Sequence, residues 1–156
     1  MTSKRKIYII ISWVLVLAVM IFIFAMSSAN AEESDSMSDS LLLKITGLTG
    51  IEFSSYFIRK AAHFCEFAAL SFSLSNAVFA TFNTKKASLI AFPLACLYAV
   101  TDELHQLFSD GRACSAKDML IDSSGALLGA IIFLLIILIY IKKIERKNDN
   151  GNIKTL

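Results

Sequence analysis

Four long apolar runs separated by polar segments set the elements expected of this chain. The first, Ile7 to Met26, is twenty residues without a charge. At ~1.5 Å per helical residue it spans ~30 Å, the thickness of a bilayer's hydrocarbon core. Residues 27–40 are rich in Ser, Glu and Asp and read as a soluble loop. Leu41 to Phe57 is mildly amphipathic and carries Gly47 and Gly50, which argue against one firm helix and for a segment lying at the membrane surface. Arg59-Lys60 opens a second apolar stretch to Phe82, a third runs from Ala87 to Phe108, and a fourth from Asp118 to Tyr140. Pro93 removes one backbone hydrogen bond from the third span and is expected to kink it, which neighbouring helices make tolerable in a membrane.

This pattern predicts an all-α fold, an integral membrane bundle of four transmembrane helices. Its parts are an N-terminal segment 1–6, a first helix 7–26, a loop with an interfacial segment 27–58, a core of three helices 59–141, and a tail 142–156. The basic start and Ala29-Asn30-Ala31 resemble a signal peptide, but the apolar run exceeds the ~7–15 residues of a secretory leader, so a retained anchor is expected. Ten basic residues (Lys4, Arg5, Lys6, Lys85, Lys86, Lys142, Lys143, Arg146, Lys147, Lys154) fall on one side of the membrane and five (Lys44, Arg59, Lys60, Arg112, Lys117) on the other. The positive-inside rule then places both termini in the cytoplasm and residues 27–58 outside.

Composition agrees: 56% hydrophobic, 18% charged and a single proline exclude an ordinary soluble domain. Cys65 and Cys96 sit in apolar runs and read as small buried hydrophobes, and Cys114 in a polar loop as a free thiol. No metal-ribbon or disulfide spacing is present. Nucleic-acid binding has no support, since membrane orientation already explains the basic flanks.

The candidate chemistry lies at the outer ends of the last three spans. Arg59, His63 and Glu66 stand at i, i+4 and i+7, on one helix face. Asp102, Glu103, His105 and Gln106 close the third span, with Asp102 paired by spacing to His105 and Gln106, and Glu103 to Gln106. Asp118 and Asp122 open the fourth, and Gly125 and Gly129 continue that face as a seam of small residues on which another helix can pack closely. Ionisable groups at membrane depth cost ~2.5–3.5 kcal/mol each on insertion scales, so three polar faces at one level are expected to converge on a pocket. Lys60 and Lys117 read as snorkelling surface cations.

These residues resemble the VanZ family of bacterial membrane proteins. The likeness rests on Arg59-Lys60-Ala61-Ala62-His63-Phe64-Cys65-Glu66-Phe67, on Asp102-Glu103-Leu104-His105-Gln106-Leu107-Phe108, and on Gly111-Arg112 followed by Asp118, Asp122, Gly125 and Gly129. It departs in detail at Phe67, where tyrosine is frequent, and at Ser71, where glycine is common. The resemblance implies a four-helix membrane protein of a family named for teicoplanin resistance, with no settled molecular mechanism, and leaves room for a housekeeping role in the cell envelope.

Three readings of the polar residues stay open. In the first, the site binds or modifies an amphiphile: a membrane lipid, a lipid-linked cell-wall precursor or a lipoglycopeptide. Arg59 and Arg112 would hold its anionic group, and Gln106, Asp118 and Asp122 would complete the binding site. An enzymatic version uses His63 or His105 as acid or base, tuned by Glu66, Asp102 or Glu103, and makes the protein a hydrolase acting through an activated water. In the second, His63/Glu66 and Asp102/His105 hold a divalent metal such as Zn²⁺, Fe²⁺ or Mn²⁺. In the third, the cluster is structural, with Arg59–Glu66 or Arg112–Asp122 bridges fixing the helices, and the protein acts by binding a partner. The oligomeric state is not written in the sequence.

Overall fold

The computed structural model describes residues 2–51, 53–109 and 114–153. Among these, five helices and no strands are present: α1 (Ser3–Ser28), α2 (Ala31–Thr49), α3 (Ser55–Phe82), α4 (Ala87–Gln106) and α5 (Ala116–Ile153). Helices α1, α3, α4 and α5 are each long and apolar enough to cross a membrane. Their large exposed side chains, such as Ile10, Leu17, Ile21, Leu89, Leu97 and Ile139, form the apolar outer surface that lipid would cover.

Helix α3 is the centre, touching all four other helices. Small residues let the backbones approach. Ala87, Ala91, Ala95 and Ala99 repeat every fourth position along α4, and all are buried in the bundle. The glycine seam expected on the last span lies against α3: a Cβ on Gly125 would stand 2.2 Å from the Phe64 carbonyl oxygen, and one on Gly129 2.0 Å from that of Ala68. Phe67, Leu70, Leu74 and Ala77 of α3 fill the core with Val16 and Ile23 of α1 and Ala126 of α5. At one end of the bundle α1 is tied to α3 by Tyr8 Oη donating to Asn76 Oδ1 (2.6 Å) and Trp13 Nε1 donating to Thr81 Oγ1 (3.1 Å).

Two expectations need correction. Residues 27–40 are not a loop: α1 runs to Ser28 and α2 starts at Ala31. Asn30 Oδ1 accepts from the Glu33 N–H while the Glu33 carboxylate accepts from the Asn30 N–H, a capping box that satisfies two otherwise orphaned donors. Of the two glycines only Gly50 breaks the 41–57 segment, as expected, and Gly47 does not. The helix passes through Gly47 and stops at Gly50, whose φ of 70° and N–H bond to the Thr46 carbonyl (2.8 Å) make it the terminator. Helix α4 carries Pro93 and stops at Gln106, two residues short of the expected boundary. Helix α5 runs well past Tyr140.

Candidate functional site

The C-terminal ends of α1 and α4 meet the N-terminal ends of α3 and α5, and every candidate residue within the described segments lies at this polar end. Its interior holds carboxylates almost wholly shielded from solvent: Asp102 is 4% exposed, Glu103 1% and Asp122 1%. Such groups are stable only with partners, and the helices supply them across the bundle. Ser27 Oγ of α1 donates to Asp102 Oδ2 (2.8 Å), and Gln106 Nε2, one turn along α4, donates to the same oxygen (3.1 Å). Glu103 Oε2 accepts from the Ser115 N–H (2.8 Å) at the start of α5, so the end of α4 holds the open backbone of the next helix. Asp122 Oδ1 stands 3.8 Å from His63 Nδ1, and Asp122 Oδ2 is buried without a hydrogen-bond partner. Ligand-capable atoms of His63, Asp102 and Asp122, from three different helices, all lie within 4.8 Å of one another.

Two of the described cations, Lys60 and Arg59, are paired. Lys60 Nζ reaches Asp118 Oδ2 at 2.6 Å, so Lys60 is an interhelical contact and not the snorkelling decoration expected of it. Lys117 is exposed. Arg59 pairs with Asp35 of α2, so the anticipated Arg59–Glu66 bridge is replaced by one to a helix that the sequence reading treated as loop. The Arg112–Asp122 bridge, and Arg112 as an anion ligand, fall outside the described residues.

One pairing inferred from spacing comes apart. Asp102 bonds Gln106 as expected, but His105 points toward α1, where its ring lies 4.3 Å from that of Phe24 and its Nδ1 is buried without a hydrogen-bond partner. The metal pair Asp102/His105 is therefore not assembled; Asp102 faces His63 and Asp122 instead. Cys65, expected inside, is exposed on the outer surface of the bundle.

Arg59, His63 and Glu66, expected on one helix face, share one cavity wall. With Ala62 and Ile58 it lines a cavity of about 130 Å³, closed by Met26 of α1 and by Ser34, Met37, Ser38 and Leu41 of α2. Glu66 Oε2 is buried there without a hydrogen-bond partner. An apolar groove of about 310 Å³ lies on another side of the bundle, between Met20, Leu70, Leu74, Leu94, Leu97, Tyr98 and Thr101. Ser27, Asp35 and Ser115 are the site residues that sequence reasoning missed. Ser27 directly follows the first apolar run, at the level of the carboxylates of α4, and that depth was its only signal.

An all-α bundle with four helices long and apolar enough to cross a membrane, and with buried carboxylates gathered at one end, defines a multi-pass membrane protein. The VanZ/LLP1 family model matches residues 12–138, and the chain belongs to that family. No curated protein and no solved structure matches the chain.

Proposed function

We propose that this protein binds the anionic head group of an envelope amphiphile at the outer face of a bacterial membrane. The cavity between α1, α2 and α3 carries the proposal: Met26, Met37, Leu41 and Ile58 give it apolar walls, while Arg59, His63 and Glu66 give it a polar side. At about 130 Å³ it takes a group of a few heavy atoms, such as a phosphate or carboxylate, with the rest of the molecule outside. Arg59 is the anion ligand, exchanging Asp35 for the incoming group in a charge-assisted pair of the same kind. The excess of lysine and arginine on the segments at the other end supports an outward-facing cavity with both termini in the cytoplasm. Lipid-linked wall precursors and an acylated glycopeptide such as teicoplanin share the required chemistry, an acidic group beside an apolar chain. A structural reading of the same cluster has its own support in the Lys60–Asp118 and Arg59–Asp35 pairs.

Expression in a sensitive Gram-positive host tests the proposal. The wild-type chain is expected to protect against teicoplanin more than against vancomycin. Arg59→Ala, at equal membrane abundance, is expected to lose most of that protection, while Glu66→Gln, which removes a negative charge from the cavity wall, is expected to keep it. Undiminished protection by Arg59→Ala would leave the cavity without a role in the phenotype. No protection by the wild type would detach this chain from teicoplanin.

A further inference from the structure

We infer that His63, Asp102 and Asp122 form a divalent-cation site in the polar end of the bundle. The inference concerns the cation alone and does not depend on which amphiphile the neighbouring cavity takes.

Geometry is the first support. Metal bonds of ~2.0–2.2 Å place adjacent tetrahedral ligand atoms ~3.4 Å apart. His63 Nδ1 and Asp122 Oδ1, at 3.8 Å, are too far apart for a good hydrogen bond with each other and close to that ligand spacing. All three donors lie within 4.8 Å of one another, so a closing of roughly an ångström separates them from that ligand spacing.

Chemistry is the second. One imidazole with two carboxylates suits Zn²⁺, Mn²⁺ or Fe²⁺ better than Mg²⁺ or Ca²⁺, which prefer oxygen alone. Asp122 is 1% exposed and its Oδ2 has no hydrogen-bond partner, an arrangement that costs free energy unless something accepts its electrons. The Asp102 carboxylate is held in place by Ser27 Oγ and Gln106 Nε2, as ligating carboxylates are.

Charge is the third. Asp102, Glu103 and Asp122 are buried together, with Glu66 nearby on α3. Of the described cations at this end, Arg59 is held by Asp35, Lys60 by Asp118, and Lys44 and Lys117 are exposed. A divalent ion balances two of the buried carboxylates. Three protein ligands leave a coordination position for water or an anionic oxygen.

The test uses the purified full chain in detergent, stripped with chelator and titrated with Mn²⁺ alone and Zn²⁺ alone. Binding is followed by electron paramagnetic resonance and by metal analysis after gel filtration. About one ion per chain is expected, with a rise in melting temperature on loading. Asp122→Asn and His63→Gln are expected to weaken binding at least ~10-fold and to abolish the metal-dependent rise. Glu145→Gln, an exposed acid on α5, is expected to bind as wild type does. Circular dichroism and a monodisperse elution profile establish that each variant is folded. No stoichiometric binding by folded wild type at millimolar metal would overturn the site. Binding that both ligand variants leave unchanged would overturn it equally.

Discussion

Replacing Gly129 by alanine is expected to destabilise the bundle severely, and replacement by valine to prevent its folding. A single added methyl would sit 2.0 Å from the Ala68 carbonyl oxygen and 3.0 Å from its Cα. Those atoms are backbone in the central helix, so no side chain can swing aside to relieve the clash; α5 must shift off α3. Overpacking of this kind typically costs ~1–3 kcal/mol, and a rigid neighbour puts alanine at the upper end of that range. Gly125 faces the Phe64 carbonyl in the same way at 2.2 Å and is expected to behave alike. Gly47 is the control. A Cβ there meets nothing within 4 Å, and Gly47→Ala should hold or gain up to ~1 kcal/mol from helix propensity. Thermal melting of detergent-solubilised protein, read by the loss of the monodisperse elution peak, ranks the three. Equal melting of Gly129→Ala and wild type would mean that α3 and α5 do not pack as described.

The second large effect is expected at Glu103, where removing the side chain and removing only its charge should differ. Glu103→Ala takes away the acceptor of the Ser115 N–H and opens a void in a position that is 1% exposed. The Ser115 N–H is only part-buried, so losing its bond costs about 1 kcal/mol, and the lost packing around the buried Glu103 side chain adds to it. Glu103→Gln keeps an amide oxygen for the same bond and nearly the same volume. The alanine variant is therefore expected to melt several degrees lower than the glutamine variant. Equal melting of the two would show that the Ser115 contact does not hold α4 to α5.

The long-range plan of this fold is readable from the sequence because the bilayer reduces it to length and hydropathy. Runs such as Ile7 to Met26 leave few alternatives to a spanning helix, and the spacing of Gly125 and Gly129 marks a close helix contact before any partner is known. Helix α2 was missed because composition outweighed position. Its serines and acids resemble a loop, yet Ser34 and Ser38 are buried, and Asn30 with Glu33 spells a capping box.

The gathering of the polar residues at one end was legible; their partners were not. Spacing along one helix placed Asp102 beside Gln106 correctly, and also beside His105, whose ring turns to Phe24 instead. Helical periodicity says which residues share a face but not how that face is rotated against its neighbours. The contacts of Ser27 with Asp102, Lys60 with Asp118 and Glu103 with Ser115 all depend on that rotation.

The most direct measurement is binding of two matched chains, a polyprenyl phosphate and the polyprenol of equal length, to the purified protein by native mass spectrometry. Arg59 gives up its pair with the exposed Asp35 to take the phosphate, so only part of the ~1.5–3 kcal/mol of a charge-assisted bond is gained, and the phosphate is expected to bind several-fold more tightly than the alcohol. Arg59→Ala should remove that preference while leaving the weaker binding of the alcohol in place. Equal binding of the two chains by wild type, or a preference that survives Arg59→Ala, would contradict an anion site in the cavity of α1, α2 and α3.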